Sequence, residues 1–272
     1  AQLLNASTAA VSRRVSGLES ALDVHLLNRT TRRIELTEAG QQFYQDVVNI
    51  FQSLDEAQER IQTRSQHLKG NLRISAPLSF GITSLTPILT GFMKLHPELN
   101  IHLQLEDQRT NFVADGIDVG IRVGRLEDST LVALPITKIS AIFCAAPSYL
   151  TQYGEPKTPE ELINHNCLRY SLVSPKFSWS TQHDGIERSI DIDGTLTCNN
   201  GNALKEAAIE GLGILQSPMF IVNDAVESGQ LVEILAAYKP EPFGLYAIKL
   251  SRKFTSAKVN AFIDYLKTYY AE

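Results

Sequence analysis

Apolar residues near the N-terminus recur every three to four positions, which predicts a helix with one buried stripe. Ser7 or Asn5 is suited to cap the start of this helix. The opposite face is polar and carries short hydroxyl side chains and arginine. The stripe comprises Val11, Val15, Leu18 and Leu22, and the polar face comprises Ser7, Thr8, Ser12, Arg13 and Ser16.

This polar face is suited to the major groove of DNA, because small hydroxyls allow close approach and arginine donates to phosphates and base edges. A helix, a short turn and a polar second helix form the helix-turn-helix pattern. Many surface helices carry the same residue types, so a solvated helix face is the alternative. We expect DNA contacts from Ser7, Thr8, Ser12, Arg13 and Arg14.

The segment that follows this helix ends in an alternating pattern, with Ile34 and Leu36 as the apolar positions of a strand. The Arg-Thr-Thr-Arg-Arg tip before it predicts a hairpin wing, since arginine at such a tip suits a narrow, negative minor groove. An exposed basic loop is the alternative. We expect DNA contacts from Arg29, Thr31 and Arg32.

A long helix is predicted from Thr37 to His67, with apolar positions four and three residues apart, as in a coiled coil. About 30 residues give roughly 45 Å of helix, more than the small N-terminal unit can cover. A second copy of the chain is the expected cover, and packing on its own domain is the alternative. The seam comprises Phe43, Val47, Ile50, Leu54, Ala57, Ile61 and Leu68 and is interrupted by Arg64; Val47, Ile50, Leu54 and Ile61 are the expected dimerisation residues.

Strands and helices alternate from residue 70 onward, which predicts an α/β fold with a largely parallel sheet. Two lobes of about 100 residues each fit the number of elements. Predicted strands cover 72–77, 100–107, 117–124, 140–145, 213–215 and 244–250. Predicted helices cover 79–95, 111–115, 202–210 and 256–269, with further helices opening at 147 and 159.

Composition indicates an uneven distribution of charge along the chain and a reducing cellular compartment. The chain of 272 residues suggests about two units. Its net charge of −5 argues against nucleic acid, yet five arginines face two acidic residues between Ser12 and Arg33, so this end can contact phosphate. Three cysteines without a CxxC pair fit a reducing cytoplasm. No apolar run approaches the roughly 20 residues of a membrane span. Because the chain opens inside a predicted helix without an initiator methionine, we expect it to be trimmed.

Sequence signatures of enzymes are weak. The six histidines show no HExxH or HxH spacing, and neither GxSxG nor a phosphate loop is present. Gly211-Leu212-Gly213 is too short for a dinucleotide fingerprint. Cys198 beside two asparagines is either a reactive thiol or, as we prefer, a buried small hydrophobe. We therefore expect no catalytic residue, no metal and no cofactor.

Specific sequence words point to one family. Residues Ala1 to Gly40 resemble the winged helix-turn-helix of the LysR-type transcriptional regulators, and the likeness extends along the entire chain. Two departures are evident: the family's first helix and part of its second are absent, and Asp23 replaces the usual glycine, which accepts a left-handed conformation more readily. The matching words include Ala9-Ala10-Val11-Ser12-Arg13-Arg14-Val15, Leu36-Thr37-Glu38-Ala39-Gly40, Asp118-Val119-Gly120-Ile121-Arg122-Val123-Gly124, Ala146-Pro147-Ser148-Tyr149-Leu150 and Glu227-Ser228-Gly229-Gln230-Leu231-Val232.

The resemblance implies a specific domain organisation. A winged helix-turn-helix DNA-binding domain would cover 1–37, and a dimerisation helix would cover 38–69. A two-lobed sensor like a periplasmic binding protein would follow, with lobe I at 70–138 plus 246–272 and lobe II at 139–245. An effector would bind between the lobes, and a tetramer would form through the sensor lobes.

The effector site is predicted from a general rule of α/β sheets. Ligands bind beyond the carboxyl ends of strands, against helix N-termini. Ser79, Asn200 and Arg122 hold such positions; a helix cap, a loop amide and a surface ion pair are the respective alternatives. We expect a small anionic or polar effector, such as a carboxylate or an aromatic metabolite. The predicted effector-binding residues are Ser79, Phe80, Arg122, Asn199 and Asn200.

These observations favour a sequence-specific transcriptional regulator that a small molecule controls. A solute-binding protein for transport is the alternative, and an enzyme on the same two-lobed fold ranks third. The residues after 70 suit all three. The predicted DNA-binding head and seam helix favour the regulator, because a transport receptor needs neither.

Overall fold

The computed structural model describes two compact units, Ala1–Gln62 and Thr63–Glu272. The described residues are 7–29, 34–44, 46–47, 50–51, 54, 68–108, 111–112, 115–124, 131–172, 177–250 and 255–271.

Helix α1, Thr8–Leu22, opens the first unit. The predicted cap is confirmed at Ser7, whose Oγ accepts a hydrogen bond from the Ala10 amide at 3.2 Å. The helix ends at Asp23, which adopts the left-handed conformation with φ 52° and ψ 37°. Aspartate therefore makes the turn that glycine makes in the family, at some conformational cost. Asn5, the other predicted cap, lies outside the described residues.

A two-stranded hairpin follows, as predicted for the wing. Strands β1, Leu27–Arg29, and β2, Ile34–Leu36, pair antiparallel. The Glu19 carboxylate holds the entry to this hairpin, because it accepts from the amides of Leu26 and Leu27 at 2.9 and 3.0 Å. The tip residues, including Thr31 and Arg32, lie outside the described residues.

The start of helix α2 is built by the Leu-Thr-Glu-Ala-Gly motif. Thr37 Oγ1 accepts from the Gly40 amide at 2.9 Å and donates to the His25 carbonyl at 2.7 Å. Gly40 lies against Leu26, and a β-carbon there would come within 2.0 Å of the Leu26 carbonyl oxygen. Described helical residues are 38–44, 46–47, 50–51 and 54. The remainder of the predicted helix, including Ile61 and Arg64, lies outside them.

The predicted buried stripe of α1 is only partly correct. Val11 and Val15 are half-buried, whereas Leu18 and Leu22 remain 38% and 42% exposed. The reason is the lack of cover: among the described residues of this unit, only Leu26 and Gly40 are fully buried.

The second unit contains a first sheet, sheet I, in the order β4-β3-β5-β15-β6. Strands β3, β4 and β5 run parallel, and β15 is antiparallel to β5 and β6. The chain returns to this sheet at Phe243, earlier than the predicted residue 246. The strands are β3 Gly70–Ala76, β4 Leu99–Leu105, β5 Val119–Gly124, β6 Leu131–Ile139 and β15 Phe243–Leu250.

Two helices cover sheet I and complete its core. Helix α3 runs over Leu78–Leu95 with a π-helical turn at Gly81–Leu85, and α7 spans Ala257–Ala271. Phe92 of α3 meets Phe262 of α7 with ring centroids 5.5 Å apart. Contrary to our expectation from the sequence, α3 is long and apolar enough to cross a membrane by length and composition. Its apolar face instead packs on this core.

Sheet II lies between the two passages of the chain through sheet I. Its order is β11-β8-β12-β7-β13, with β8, β11 and β12 parallel. A smaller sheet joins β9, β10 and β14. The strands are β7 Ala141–Ala145, β8 Cys167–Tyr170, β9 Ser178–His183, β10 Ile186–Asp191, β11 Thr197–Cys198, β12 Ile214–Pro218, β13 Val232–Ile234 and β14 Lys239–Pro240. The helices are α4 Pro147–Tyr153, a 3₁₀ helix Pro159–Asn164, α5 Gly201–Ile209 and α6 Met219–Glu227.

One predicted helix is described only in part. At 111–115 the structure shows a turn, in which the Asp115 amide donates to the Asn111 carbonyl at 2.9 Å; residues 113–114 lie outside the description. The predicted succession of a helix-turn-helix head and a two-lobed α/β sensor along the chain is confirmed, whereas strands β6, β8, β9, β10, β11, β13 and β14 were not predicted from the sequence.

Candidate functional site

The carboxyl ends of the parallel strands of sheet I share one edge. Strand β3 leads through Pro77 into α3. Strand β4 leads into Glu106 and Asp107, and β5 carries Arg122 near its end. This is where α/β sheets place ligand-binding residues.

Sheet II presents a matching edge. Strand β8 ends at Tyr170, β11 leads to Asn200 at the start of α5, and β12 leads into α6 with Phe220 near its start. Helix N-termini at such edges carry free amide donors and the positive end of the helix dipole.

Two contacts and one close approach bring the two edges face to face. Asn200 Nδ2 donates to Asp107 Oδ2 at 3.4 Å. The rings of Phe80 and Phe220 meet edge to face, with centroids 5.3 Å apart. A β-carbon built on Gly201 would lie 3.7 Å from Ser79 Oγ. The two predicted helix starts therefore lie together, and we call the surrounding residues Ser79, Asp107, Arg122, Tyr170 and Asn200 the interlobe site.

Ser79 is buried, and its hydroxyl neither caps the helix nor makes a hydrogen bond to a described residue. Its relative exposure is 5%. Among the described residues, Ser79 Oγ is one of two buried side-chain oxygens without a hydrogen-bond partner, the other being Ser256 Oγ. Ser79 does not cap its helix, because Pro77 is the cap residue and the Asp107 carboxylate accepts from the Leu78 amide at 2.9 Å. A buried hydroxyl without a partner costs about 1–3 kcal/mol.

Asn200 is half-buried and has a structural role. Its Oδ1 accepts from the Ala203 amide at 3.0 Å and caps α5, while its Nδ2 reaches across to Asp107. Asn199 is exposed, with its Oδ1 4.0 Å from Cys198 Sγ.

Arg122 is half-buried beside two carboxylates. Its Nη1 donates to the Ile121 carbonyl at 2.7 Å. Burial lowers the pKa of Arg122, and the negative charges of Glu106 and Asp107 oppose that shift. Burial, with smaller effects from Asp107 and Cys198, raises the pKa of Tyr170, so its phenol stays protonated. The site thus combines one cation, two carboxylates and neutral donors.

Two predicted side chains have other environments. Phe80 is only 1% exposed, and its ring belongs to the core of sheet I. Cys198 is half-buried rather than buried, because β11 lies at the edge of sheet II. The buried thiols are Cys144 and Cys167, and burial raises the pKa of each to about 12.

The predicted DNA-binding residues of α1 are largely accessible. Ser7, Arg13 and Arg14 are exposed and Ser12 is half-buried. Arg13 Nε donates to the Ala9 carbonyl at 3.4 Å, which directs its side chain back along the helix. The side chains of Thr8 and Arg29, like Thr31 and Arg32 as a whole, lie outside the description.

The described part of the seam on α2 is largely uncovered. Ile50 is 64% exposed and Leu54 50%, while Val47 is half-buried. Phe51, which is not a heptad position, is also 62% exposed. Ile61 lies outside the described residues.

Sequence reasoning missed Asp107, Tyr170 and Phe220. The same rule that selected Ser79 would have found them, since each directly ends or closely follows a parallel strand. Within the described ranges, no group of three or more histidine, cysteine, aspartate or glutamate residues could hold a metal ion.

A winged helix-turn-helix head and a two-lobed sensor with paired helix starts define a ligand-responsive DNA-binding regulator. Comparison with known proteins agrees. The family model for the bacterial regulatory helix-turn-helix protein, lysR family, matches residues 1–41, and that for the LysR substrate binding domain matches 65–271. The chain belongs to the LysR family of transcriptional regulators.

Individual relatives span most of this chain. An uncharacterised HTH-type transcriptional regulator of Haemophilus influenzae is 38% identical over 94% of this chain and 88% of its own. The HTH-type transcriptional regulator DmlR of Escherichia coli is 32% identical, over 100% and 89%. Among solved structures, the Vibrio cholerae virulence activator AphB is 30% identical with a TM-score of 0.66, over 97% and 90%. The LysR-type regulator CrgA of Neisseria meningitidis is 27% identical with a TM-score of 0.67, over 100% and 92%.

Family membership settles the broad function. The protein is a DNA-binding transcriptional regulator with an effector-binding domain, and regulators of this family bind DNA and small-molecule effectors and form oligomers. The relatives are transcriptional regulators rather than transport binding proteins or enzymes, so the transport and enzyme alternatives fall away.

Proposed function

We propose that this regulator binds a small anionic or polar effector at the interlobe site and reads DNA with α1 and the wing. The observation that carries the effector part is Ser79 Oγ, a buried hydroxyl without a partner where two helix starts meet. A ligand that accepts or donates a hydrogen bond there removes a cost that the free protein carries. The reducing cytoplasm is the expected location.

The proposed contacts divide between the two sides of the site. Ser79 and the start of α3 contribute from sheet I, and Asn200 and the start of α5 contribute from sheet II. A ligand touching both gains contact only when the two edges approach, so it shifts the population toward the closed form. Phe80 supports this arrangement through its contact with Phe220, while Asn199 and Arg122 border it. Effector clefts of a few hundred cubic ångströms favour a metabolite over a peptide.

The effector proposal is tested in two stages. A thermal-shift screen of small carboxylates and aromatic acids identifies a stabilising compound, because stabilisation grows with ligand concentration over its Kd. Calorimetry then compares the wild type with Ser79→Ala and Asn200→Ala. Ser79→Ala should weaken binding about tenfold and yet stabilise the free protein by about 1 kcal/mol, since it removes an unpartnered buried hydroxyl.

The matched control is Thr90→Ala on the same helix, where the hydroxyl is exposed and donates to the Thr86 carbonyl at 2.9 Å. It should change neither affinity nor selectivity. Unchanged affinity in both Ser79→Ala and Asn200→Ala would place the effector elsewhere.

The DNA contacts are proposed to come from α1 and the wing. Phosphate contacts release counterions, so loss of one lowers the salt dependence of binding by about one unit of slope and weakens all sequences alike. We expect this for Arg13→Ala, Arg29→Ala and Arg32→Ala in the full-length protein, whereas Ser12→Ala and Thr8→Ala should also alter base preference. The control is Arg188→Ala, an exposed arginine of the sensor that pairs with Glu160 at 2.9 Å. An unchanged slope removes that arginine from the phosphate contacts.

We further propose a homodimer through the seam of α2, and a tetramer through the sensor lobes. The exposed Ile50 and Leu54 support the dimer, while the tetramer is an inference from the family alone. The dimer is tested by the seam substitution given below.

A further inference from the structure

The Asp107 carboxylate lies between the two edges of the interlobe site and accepts hydrogen bonds from both. Its Oδ1 accepts from the Leu78 amide, the first donor of α3, at 2.9 Å. Its Oδ2 accepts from Asn200 Nδ2 of the opposite edge at 3.4 Å. Each oxygen of an ionised carboxylate can accept two hydrogen bonds, so both retain capacity toward a ligand.

The charges around Asp107 make the site a poor one for a plain anion. Among the described residues, the carboxylates of Glu106 and Asp107 lie close enough to Arg122 to affect its pKa. The two helix starts together contribute roughly one positive charge. A ligand carboxylate bound there therefore meets a carboxylate of like sign at Asp107.

Neutral donors nevertheless lie next to Asp107 on both edges. Ser79 follows Leu78, which Asp107 binds, and its hydroxyl has no partner among the described residues. Gly201 follows Asn200 and opens α5, and a β-carbon built on it would lie 3.7 Å from that hydroxyl. The first amides of a helix lack partners within it. The donors at Ser79 and Gly201 are therefore each next in sequence to a residue that donates to Asp107.

We propose that Asp107 makes the interlobe site selective for carboxylates that carry a hydroxyl or ammonium group on the adjacent carbon, that is α-hydroxy and α-amino acids, over unsubstituted carboxylates. The ligand carboxylate takes the donors at Ser79 and the helix starts, and the neighbouring hydroxyl or ammonium donates to Asp107. An unsubstituted acid fills the first role and leaves Asp107 facing an anion. This inference rests on the proposed effector site and names its ligand class.

The test uses matched acids as probes on the whole chain. Propionate, lactate and alanine form one set, succinate, malate and aspartate a second, and 3-phenylpropionate, 3-phenyllactate and phenylalanine a third. In the wild type the substituted member of at least one set should bind about tenfold or more tightly than its parent, as a charge-assisted hydrogen bond provides. Asp107→Asn should weaken the binding of the substituted acid and strengthen the binding of the unsubstituted acid. The ratio of their dissociation constants should then be close to one.

Two features keep the result interpretable. Asparagine retains an oxygen for the Leu78 amide, and the wild-type comparison of paired acids needs no variant at all. Glu98→Gln is the control, because it removes the same charge from an exposed position of the same unit and should leave the ratio unchanged.

Each outcome bears on a distinct claim. Equal affinity within every set in the wild type, or a preference that persists in Asp107→Asn, overturns the role of Asp107. The wild type could bind the acids of every set equally while Ser79→Ala lowers all of these affinities. In that case the effector site is supported and only the proposed ligand class is wrong. If no probe binds, or binding ignores both Ser79→Ala and Asn200→Ala, the effector site falls as well.

Discussion

Helices α2 and α3 both carry an apolar stripe, yet they end in opposite environments. On α3 the stripe is buried between sheet I and α7, with Phe92 fully inaccessible. On α2 the described stripe is open, with Ile50 64% and Leu54 50% exposed. A single chain therefore completes the core of its sensor, whereas the described part of the α2 seam is exposed, as the proposed dimer requires. Exposed apolar stripes of this kind mark association sites.

The largest effect should come from breaking the core that α3 completes. Phe92→Ala removes a ring packed against Phe262 and Tyr265 and should lower the free energy of unfolding by about 3–5 kcal/mol. Denaturant unfolding monitored by circular dichroism measures it. Leu95→Ala on the same helix is the control, because Leu95 is 63% exposed and its loss should cost well under 1 kcal/mol. Similar losses for both variants would contradict the described packing.

The seam of α2 should respond in association rather than in folding. Leu54→Lys places a charge on each of two facing stripes and loses about 1.5–3 kcal/mol of burial per side chain. The dimer dissociation constant should rise about a hundredfold or more, with little change in the unfolding of the sensor. Sedimentation equilibrium at matched concentrations measures this. Gln41→Lys, at an exposed polar position of the same helix, should leave the dimer intact, and equal association of both variants would exclude the seam.

A smaller effect should sharpen the picture of the head, whose packing depends on few contacts. Gly40→Ala would bring a β-carbon within 2.0 Å of the Leu26 carbonyl oxygen, and forcing this apart should cost about 1–3 kcal/mol. Gly17→Ala meets nothing within 4 Å in the middle of α1 and should stabilise the head by about 0.5–1 kcal/mol. Thermal unfolding of the two variants should therefore shift in opposite directions, and a shift in the same direction would contradict this account.

The smallest effect concerns an ion pair on the sensor surface. Lys205 donates to Asp224 at 3.0 Å, and this hydrogen bond lowers the pKa of the Asp224 carboxyl. A lowered pKa stabilises the fold above the unfolded value of about 3.9 and loses that stabilisation as the pH falls. Because Asp224 is 72% exposed, Asp224→Asn should cost at most about 1 kcal/mol at pH 7. The difference from wild type in urea unfolding should shrink as the pH falls below the unfolded value and through the lowered folded pKa, and its growth in acid would refute the pairing.

Most of the architecture followed from the sequence, because periodicity is a local property. The helix cap at Ser7, the wing strands and the alternation of strands and helices in the sensor are all set by neighbouring residues. Solvent exposure was predicted less well: Leu18 and Leu22 have the spacing of a buried stripe, but spacing cannot reveal whether another element covers them. The return of the chain at Phe243 into the middle of sheet I is a long-range pairing that no local pattern encodes.

The interlobe site divides in the same way. Ser79 and Asn200 could be selected because each follows a strand and opens a helix. Their proximity could not, because it depends on how two sheets face each other. Position beside Ser79 also selects Phe80, whose ring is buried in the core of sheet I and contacts Phe220; the burial of its ring depends on packing that the local sequence does not reveal. Asp107 was overlooked because an acidic residue was not expected where an anion was sought.

The order of strands in the sensor also bears on how the protein is made. Sheet II is drawn from one continuous stretch, 141–234, whereas sheet I needs β15 between β5 and β6. During synthesis, all strands of sheet II are therefore made before β15, an inner strand of sheet I. Domains generally fold as units during synthesis, the N-terminal ones first. Proteolysis of a released chain truncated after Pro240 should find the second lobe protected and the first open. The effector could then bind only to a chain in which both lobes are complete.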